Sequence, residues 1–208
     1  TDADFLYVPG NHDTYVRRAS CRRSLEHVFH VLNNQRRRLS DLPRRLATEH
    51  ADLCLVNECR PTSIFLSCGV VDATTRRTLE EWFAEPRRDN RPRVLVGHFP
   101  TRGPNGHPLP ARRRLNGGEI IQRALTDGRL DVSLCGHIHA PFVREQECGA
   151  LEICAGSLTA GGALSVIDID PRTHAISHTW VDVRSAPEQN KPAGTEQRES
   201  DHEDISRN

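Results

Sequence analysis

The chain contains no methionine, one lysine (Lys191) and few aromatic residues, 5% of its 208 positions. It carries no net charge, with 28 Lys+Arg against 28 Asp+Glu. That balance removes any bulk argument for nucleic-acid or membrane partners. No run approaches the roughly 20 consecutive apolar residues of a membrane span, so no membrane partner is expected. No secretory leader opens the sequence. A translated chain begins with methionine unless processed, and this one begins with Thr1, so we expect an amino-terminal truncation. The 7 cysteines are odd in number and none forms a C-x-x-C pair. This argues against a zinc knuckle and for buried free thiols in a reducing compartment, the cytoplasm.

The length suits one domain with room for a real core. The first half alternates apolar runs with helical periodicity. Phe5 to Val8 reads as a strand closed by a Pro9-Gly10 turn, and Cys21 to Arg37 as a helix with Leu25, Val28, Phe29 and Leu32 on one face. A second, more basic helical segment follows to about His50. Leu53 to Val56 reads as a strand, Ser63 to Leu66 as its neighbour, and Thr75 to Ala84 as a helix burying Leu79, Trp82 and Phe83. Then come a strand from Arg93 to Gly97, a Pro/Gly/Arg-rich loop to about Leu115, a helix at about Gly118 to Thr126, and a strand ending at Cys135. After Pro141 the pattern turns to Phe142–Arg144, Ala150–Cys154, Ala163–Ile169 and Ala175–Val183, the last two joined by an Asp170-Pro171-Arg172-Thr173 turn. Residues 185–208 lose their apolar content and read as a disordered tail.

Three segments carry metal-ligand chemistry: Gly10-Asn11-His12-Asp13, Gly97-His98 and Gly136-His137-Ile138-His139. Each follows an apolar run that reads as a buried strand, so each presents donors at a strand exit. Asn after Gly is usually a turn residue, and an isolated H-x-H is usually surface. Here the strand-glycine-histidine context occurs twice, beside the asparagine, and metal-assisted hydrolysis becomes the leading reading.

The ordered set G-N-H-D, G-H and G-H-x-H resembles the later motifs of the calcineurin-like metallophosphoesterases, over roughly Asp4 to Val183. The resemblance implies an α/β fold, a metallophosphoesterase-like β-sandwich flanked by helices, occupying residues 1–184. It implies two divalent metal ions (Mn, Fe, Zn or Mg). Carried over by motif, Asn11, His98 and His137 would ligate one metal and His139 would contribute to the other. His12 would act catalytically as proton donor or transition-state stabiliser, with Asp13 holding its ring.

The family's earlier motifs, D-x-H and G-D-x-x-D, are absent from the sequence. Their loss would remove the bridging carboxylate and the first βαβ portion of the fold. The expectation for this chain alone is at most one weakly held metal and negligible activity. Three functions stay open: hydrolysis of a small phosphomonoester or phosphodiester, a nuclease, or a non-catalytic scaffold that has lost half of the metal site. The arginine clusters Arg36–Arg38, Arg44–Arg45, Arg87–Arg88 and Arg112–Arg114 could track a nucleic-acid backbone. Balanced acids and absent aromatics favour a solvated face instead, so a small phosphorylated substrate is the expected partner. Arg102, Arg112 and His107, on the loop after His98, are candidates to contact it.

Overall fold

A computed structural model describes residues 5–63 and 65–184. The tail expected at 185–208 lies outside the described residues, as does Ile64 of the strand expected at Ser63–Leu66. The chain begins with an extended stretch and the single turn α1 (Asn11–Thr14), followed by α2 (Ala19–Leu32). Then come β1 (Arg44–Ala47), β2 (Asp52–Leu55), β3 (Gly69–Val70), α3 (Ala73–Ala84), β4 (Arg93–Val96), β5 (Leu115–Asn116), α4 (Glu119–Thr126) and β6 (Val132–Cys135). The last part holds β7 (Phe142–Glu145), β8 (Leu151–Cys154), the short α5 (Leu158–Gly161), β9 (Ala163–Ile169) and β10 (Ile176–Asp182).

The principal sheet has the order β1-β2-β4-β6-β8-β7. Its four inner strands run parallel, while β1 and β7 lie antiparallel at the edges. Side chains of a strand alternate between faces, and this sorts the core. Cys54 and Leu95 join Leu79, Trp82 and Phe83 of α3 and Ile120, Ile121 and Leu125 of α4 on one face. Leu53, Val94, Val132 and Ile153 point the other way and meet Ile167, Ile169 and Ile176 of the β9–β10 ribbon. Helices thus cover one face and a hairpin the other, which is the expected α/β class. Asp72 caps α3 by accepting the Thr75 N–H at 2.8 Å. Asp170 Oδ1 accepts the Arg172 and Thr173 N–H groups at 2.8 and 2.7 Å, which makes the expected hairpin turn.

Four expectations are corrected. Phe5 to Val8 is not a strand among the described residues. The wholly buried Asn33 side chain takes the place of a neighbouring strand: its Oδ1 accepts Tyr7 N–H at 3.1 Å and its Nδ2 donates to Tyr7 O at 3.4 Å. The apolar face expected on α2 is mostly open. Phe29 is buried but Val28 and Leu32 are exposed, because the main neighbours of α2 are α1 and the 3₁₀ turn Leu39–Asp41 rather than a sheet face. The basic segment before His50 contributes β1, a short edge strand whose exposed arginines blunt further pairing. Phe65 and Leu66 are exposed and form no strand; the chain pairs later, at β3 with β5.

Candidate metal centre

Strands β4 and β6 are parallel neighbours, so their carboxyl ends open on one edge of the sheet. Each ends at a glycine. The ladder continues one step beyond them, with Gly97 N–H donating to Leu134 O at 3.0 Å and Gly136 N–H to His98 O at 2.9 Å. His98 and His137 therefore leave the sheet side by side, their ring centroids 5.4 Å apart. Gly10 matters for space. A Cβ there would stand 3.0 Å from His98 Cε1 and 3.3 Å from its Nδ1, so a larger residue would push the ring away.

The α1 turn brings in the third donor. Asn11 is buried, and its Nδ2 donates to Tyr15 Oη, which aims Oδ1 at the histidines. His98 Nε2–H donates to Asn11 Oδ1 at 2.7 Å. His137 Nδ1 lies 3.4 Å from the same oxygen. Its Nε2–H is engaged by the carbonyl of Arg113 at 3.0 Å, so Nδ1 keeps a lone pair directed at Asn11. His137 has φ +63, the left-handed region, and Ile138 N–H reaches back to Gly136 O at 2.6 Å. The resulting three-residue turn is strained for a residue with a Cβ. That turn inserts the His137 ring against Phe99, centroids 4.3 Å apart.

Burial, first of all, lowers both imidazoles from 6.5 to about 4; His98 is lowered further by its neighbour His137. Both rings are therefore neutral near pH 7, the form that ligates metals. Two donors bound at about 2.1 Å to one cation lie roughly 3.0–3.4 Å apart. The His137–Asn11 spacing matches this, and two lone pairs facing each other there suit a cation between them. With its proton moved from Nε2 to Nδ1, His98 would join them, so that two imidazoles and a carboxamide would fit one divalent ion.

The remaining site residues are placed differently. His12 is exposed at the rim, edge-on to Tyr15 with centroids 5.0 Å apart. Asp13 does not hold its ring: Asp13 Oδ2 accepts Tyr7 Oη–H and Gly10 N–H, each at 2.7 Å. Successive residues on a helical turn point about 100° apart, so the two do not face each other. His139 is exposed, and among the described residues no hydrogen bond ties it to Asn11, His98 or His137. Among the described residues, no group of three or more His, Cys, Asp or Glu side chains is arranged to hold a metal ion. The dinuclear centre implied by the resemblance is thus not assembled by them. Arg102 donates to Gly106 O at 3.1 Å and lines, with Arg114, Asn116 and Gln122, a cavity of about 410 Å³. Arg112 and His107 are exposed. Within the arginine clusters, Arg45 pairs with Glu85 and Arg87 with Asp131.

Sequence reasoning missed Tyr15, the Arg113 carbonyl and Glu58. Any residue could supply the carbonyl, so it left no signal. Glu58 did leave one, an acid two residues past the apolar run Leu53 to Val56, at a strand exit like those of the histidines.

The parallel strands β4 and β6 deliver two histidines to one carboxyl edge of an α/β sheet, and the α1 turn brings an asparagine to them. The sequence profile of the calcineurin-like phosphoesterases matches residues 2–141, and the chain belongs to that family. Similar solved structures include TT1561 of Thermus thermophilus, at 11% identity and a TM-score of 0.47, covering 86% of this chain and 72% of that one. Among curated proteins none matches. No described helix is long and apolar enough to cross a membrane.

Proposed function

We propose that Asn11, His98 and His137 hold one divalent cation, and that the chain serves metal-dependent hydrolysis of a phosphoester. The observation that carries this reading is the convergence of His98 Nε2 and His137 Nδ1 within 3.4 Å of Asn11 Oδ1. Membership of the calcineurin-like phosphoesterase family supports the reaction class. Bound there, a divalent ion would supply Lewis acidity toward a phosphoryl oxygen.

The residues of the chain do the rest. The Arg113 carbonyl holds the tautomer of His137, and Tyr15 holds the orientation of Asn11. His12, exposed next to Asn11 on the α1 turn, would deliver a proton to a leaving alkoxide. Asp13 steadies the turn that carries both Asn11 and His12. The proposed substrate is a small phosphomonoester or phosphodiester. Arg102 and Arg114 in the neighbouring cavity are suited to its anionic part.

Calorimetric titration of Zn²⁺ and Mn²⁺ into the wild-type chain and into His98→Ala tests the site, with nitrophenyl phosphodiester hydrolysis measured alongside. One equivalent bound by the wild type and lost in the variant supports the reading. Equal uptake by both overturns it.

A further inference from the structure

From His98 to Thr101, every backbone N–H is held by a buried carboxylate. Glu58 Oε2 accepts His98 N–H and Phe99 N–H, each at 2.8 Å. Pro100 has no N–H to offer. Glu152 Oε1 accepts Thr101 N–H at 2.7 Å. Both acids are essentially sealed from solvent, at 1% and 0% exposure. Such groups are ordinarily excluded from a protein interior unless paired. Glu152 is paired with Arg144. Glu58 has no such cation among the described residues, and its Oε1 is a buried oxygen without a hydrogen-bond partner among them. The chain also makes room for it. A Cβ at position 97 would lie 2.8 Å from Glu58 Oε2 and 2.9 Å from Cδ, so only glycine leaves space between the strand end and the carboxyl.

An unmatched buried acid is a poor way to add stability, and an apolar side chain would fill that space at lower cost. What the carboxyl does is fix the backbone of His98 itself. We infer that Glu58 is a positioning residue for His98, with Glu152 bracing the same segment at Thr101. The inference rests on the metal-centre reading above, since it assigns Glu58 the task of setting where His98 Nε2 meets Asn11 Oδ1. Glu58 comes from the loop after β2, Glu152 from β8 and His98 from the end of β4, so the brace joins three strands of the sheet at the edge where the donors converge.

The test uses Glu58→Gln, which keeps an acceptor oxygen in the same shape, and Glu58→Leu, which keeps bulk and removes the acceptor. Two readouts are taken: amide hydrogen exchange at His98 and Phe99 after chelator treatment, and Zn²⁺ affinity by calorimetry. Glu58→Gln should hold slow exchange at both amides and keep affinity within about threefold, whereas Glu58→Leu should weaken affinity by about 10–100-fold and speed exchange by about tenfold or more. If Glu58→Leu fails to fold, Glu58→Asp, with its carboxyl drawn back by one methylene, should show the same losses in smaller degree. A folded Glu58→Leu or Glu58→Asp chain with wild-type exchange and affinity overturns the inference. So does fast exchange at both amides in the wild type. A wild-type chain that takes up no Zn²⁺ overturns the metal-centre reading instead, while exchange at the two amides still decides the brace.

Discussion

Asn11 Oδ1 accepts a hydrogen bond from His98 Nε2 at 2.7 Å across 87 positions of sequence. A carboxamide can present either end, and what fixes the oxygen inward is the bond from its Nδ2 to Tyr15 Oη. Tyr15 stands four residues on, just past α1, where i and i+4 side chains meet.

Tyr15→Phe should therefore free the carboxamide to turn without removing a donor. Zn²⁺ affinity is expected to fall about tenfold, as for other residues that orient ligands. Thermal unfolding should change little. Calorimetry and a melting curve on the same sample check both; unchanged affinity would remove Tyr15 from the site.

His137 sits at φ +63, a conformation that Asn tolerates better than other residues with a Cβ. Both His137→Asn and His137→Ala should abolish metal uptake. The Asn variant should be more stable than the Ala variant by about 0.5–1 kcal/mol, since the left-handed penalty is about 1–2 kcal/mol for ordinary residues. Urea unfolding of the pair measures this. Equal stability would mean that the turn stores no strain.

The pH dependence of stability has two opposed limbs. Burial lowers His98 and His137 to about 4, so the unfolded chain gains protons below 6.5 that the folded chain refuses. Their contribution is whole above 6.5 and is lost as pH falls toward 4. Burial raises Glu58 from 4.5 to about 7, so its contribution is whole below 4.5 and is lost as pH rises through 7. Between 4.5 and 6.5 two imidazoles outweigh one carboxyl, and stability should rise with pH to a maximum near 6.5. Urea unfolding from about pH 4 to about pH 8 should show that Glu58→Gln removes the decline above the maximum and steepens the acid limb, which two imidazoles then set alone. A decline that persists unchanged in Glu58→Gln would place its source elsewhere.

Glu152 is wholly buried, and its charge is answered by Arg144, which also donates to Thr101 Oγ1 at 3.0 Å and Gln122 Oε1 at 3.1 Å. Arg144→Met strands that charge and should cost about 3–5 kcal/mol. The double variant Arg144→Met with Glu152→Met should recover most of the loss. A double-variant cycle by chemical denaturation checks this, and additive losses would show that the two side chains are not coupled.

Helices α3 and α4 and the strands β4 and β6 to β10 were legible because their signals are local, whereas β5 at the end of the expected loop was not. Leu79, Trp82 and Phe83 fall on one helical face, and Asp170 makes its turn with its own neighbours. The extended stretch Phe5 to Val8 misled for the opposite reason. An apolar run says that a segment can pair, while the partner is chosen elsewhere, and here Asn33 bonds Tyr7 in place of a strand. The site divides in the same way. Residue types at strand exits marked Asn11, His98 and His137, but not the direction of each side chain. The turn at His137 buries that ring and leaves His139 outside, and Asp13 bonds Tyr7 rather than His12.

The sequence by itself determined the chemistry available: neutral nitrogen and oxygen donors set after glycines, in an order that marks the calcineurin-like phosphoesterase family. Side-chain identity and turn preference act over a few residues, so they can be read along the chain. Only the tertiary structure decided which donors meet, which tautomer each ring holds, and that two buried glutamates accept the backbone N–H groups from His98 to Thr101. Those outcomes depend on burial and on contacts spanning from 24 to 126 positions, between His137 and Arg113 at one extreme and His137 and Asn11 at the other. They exist only once the parallel strands have brought their carboxyl ends to one edge.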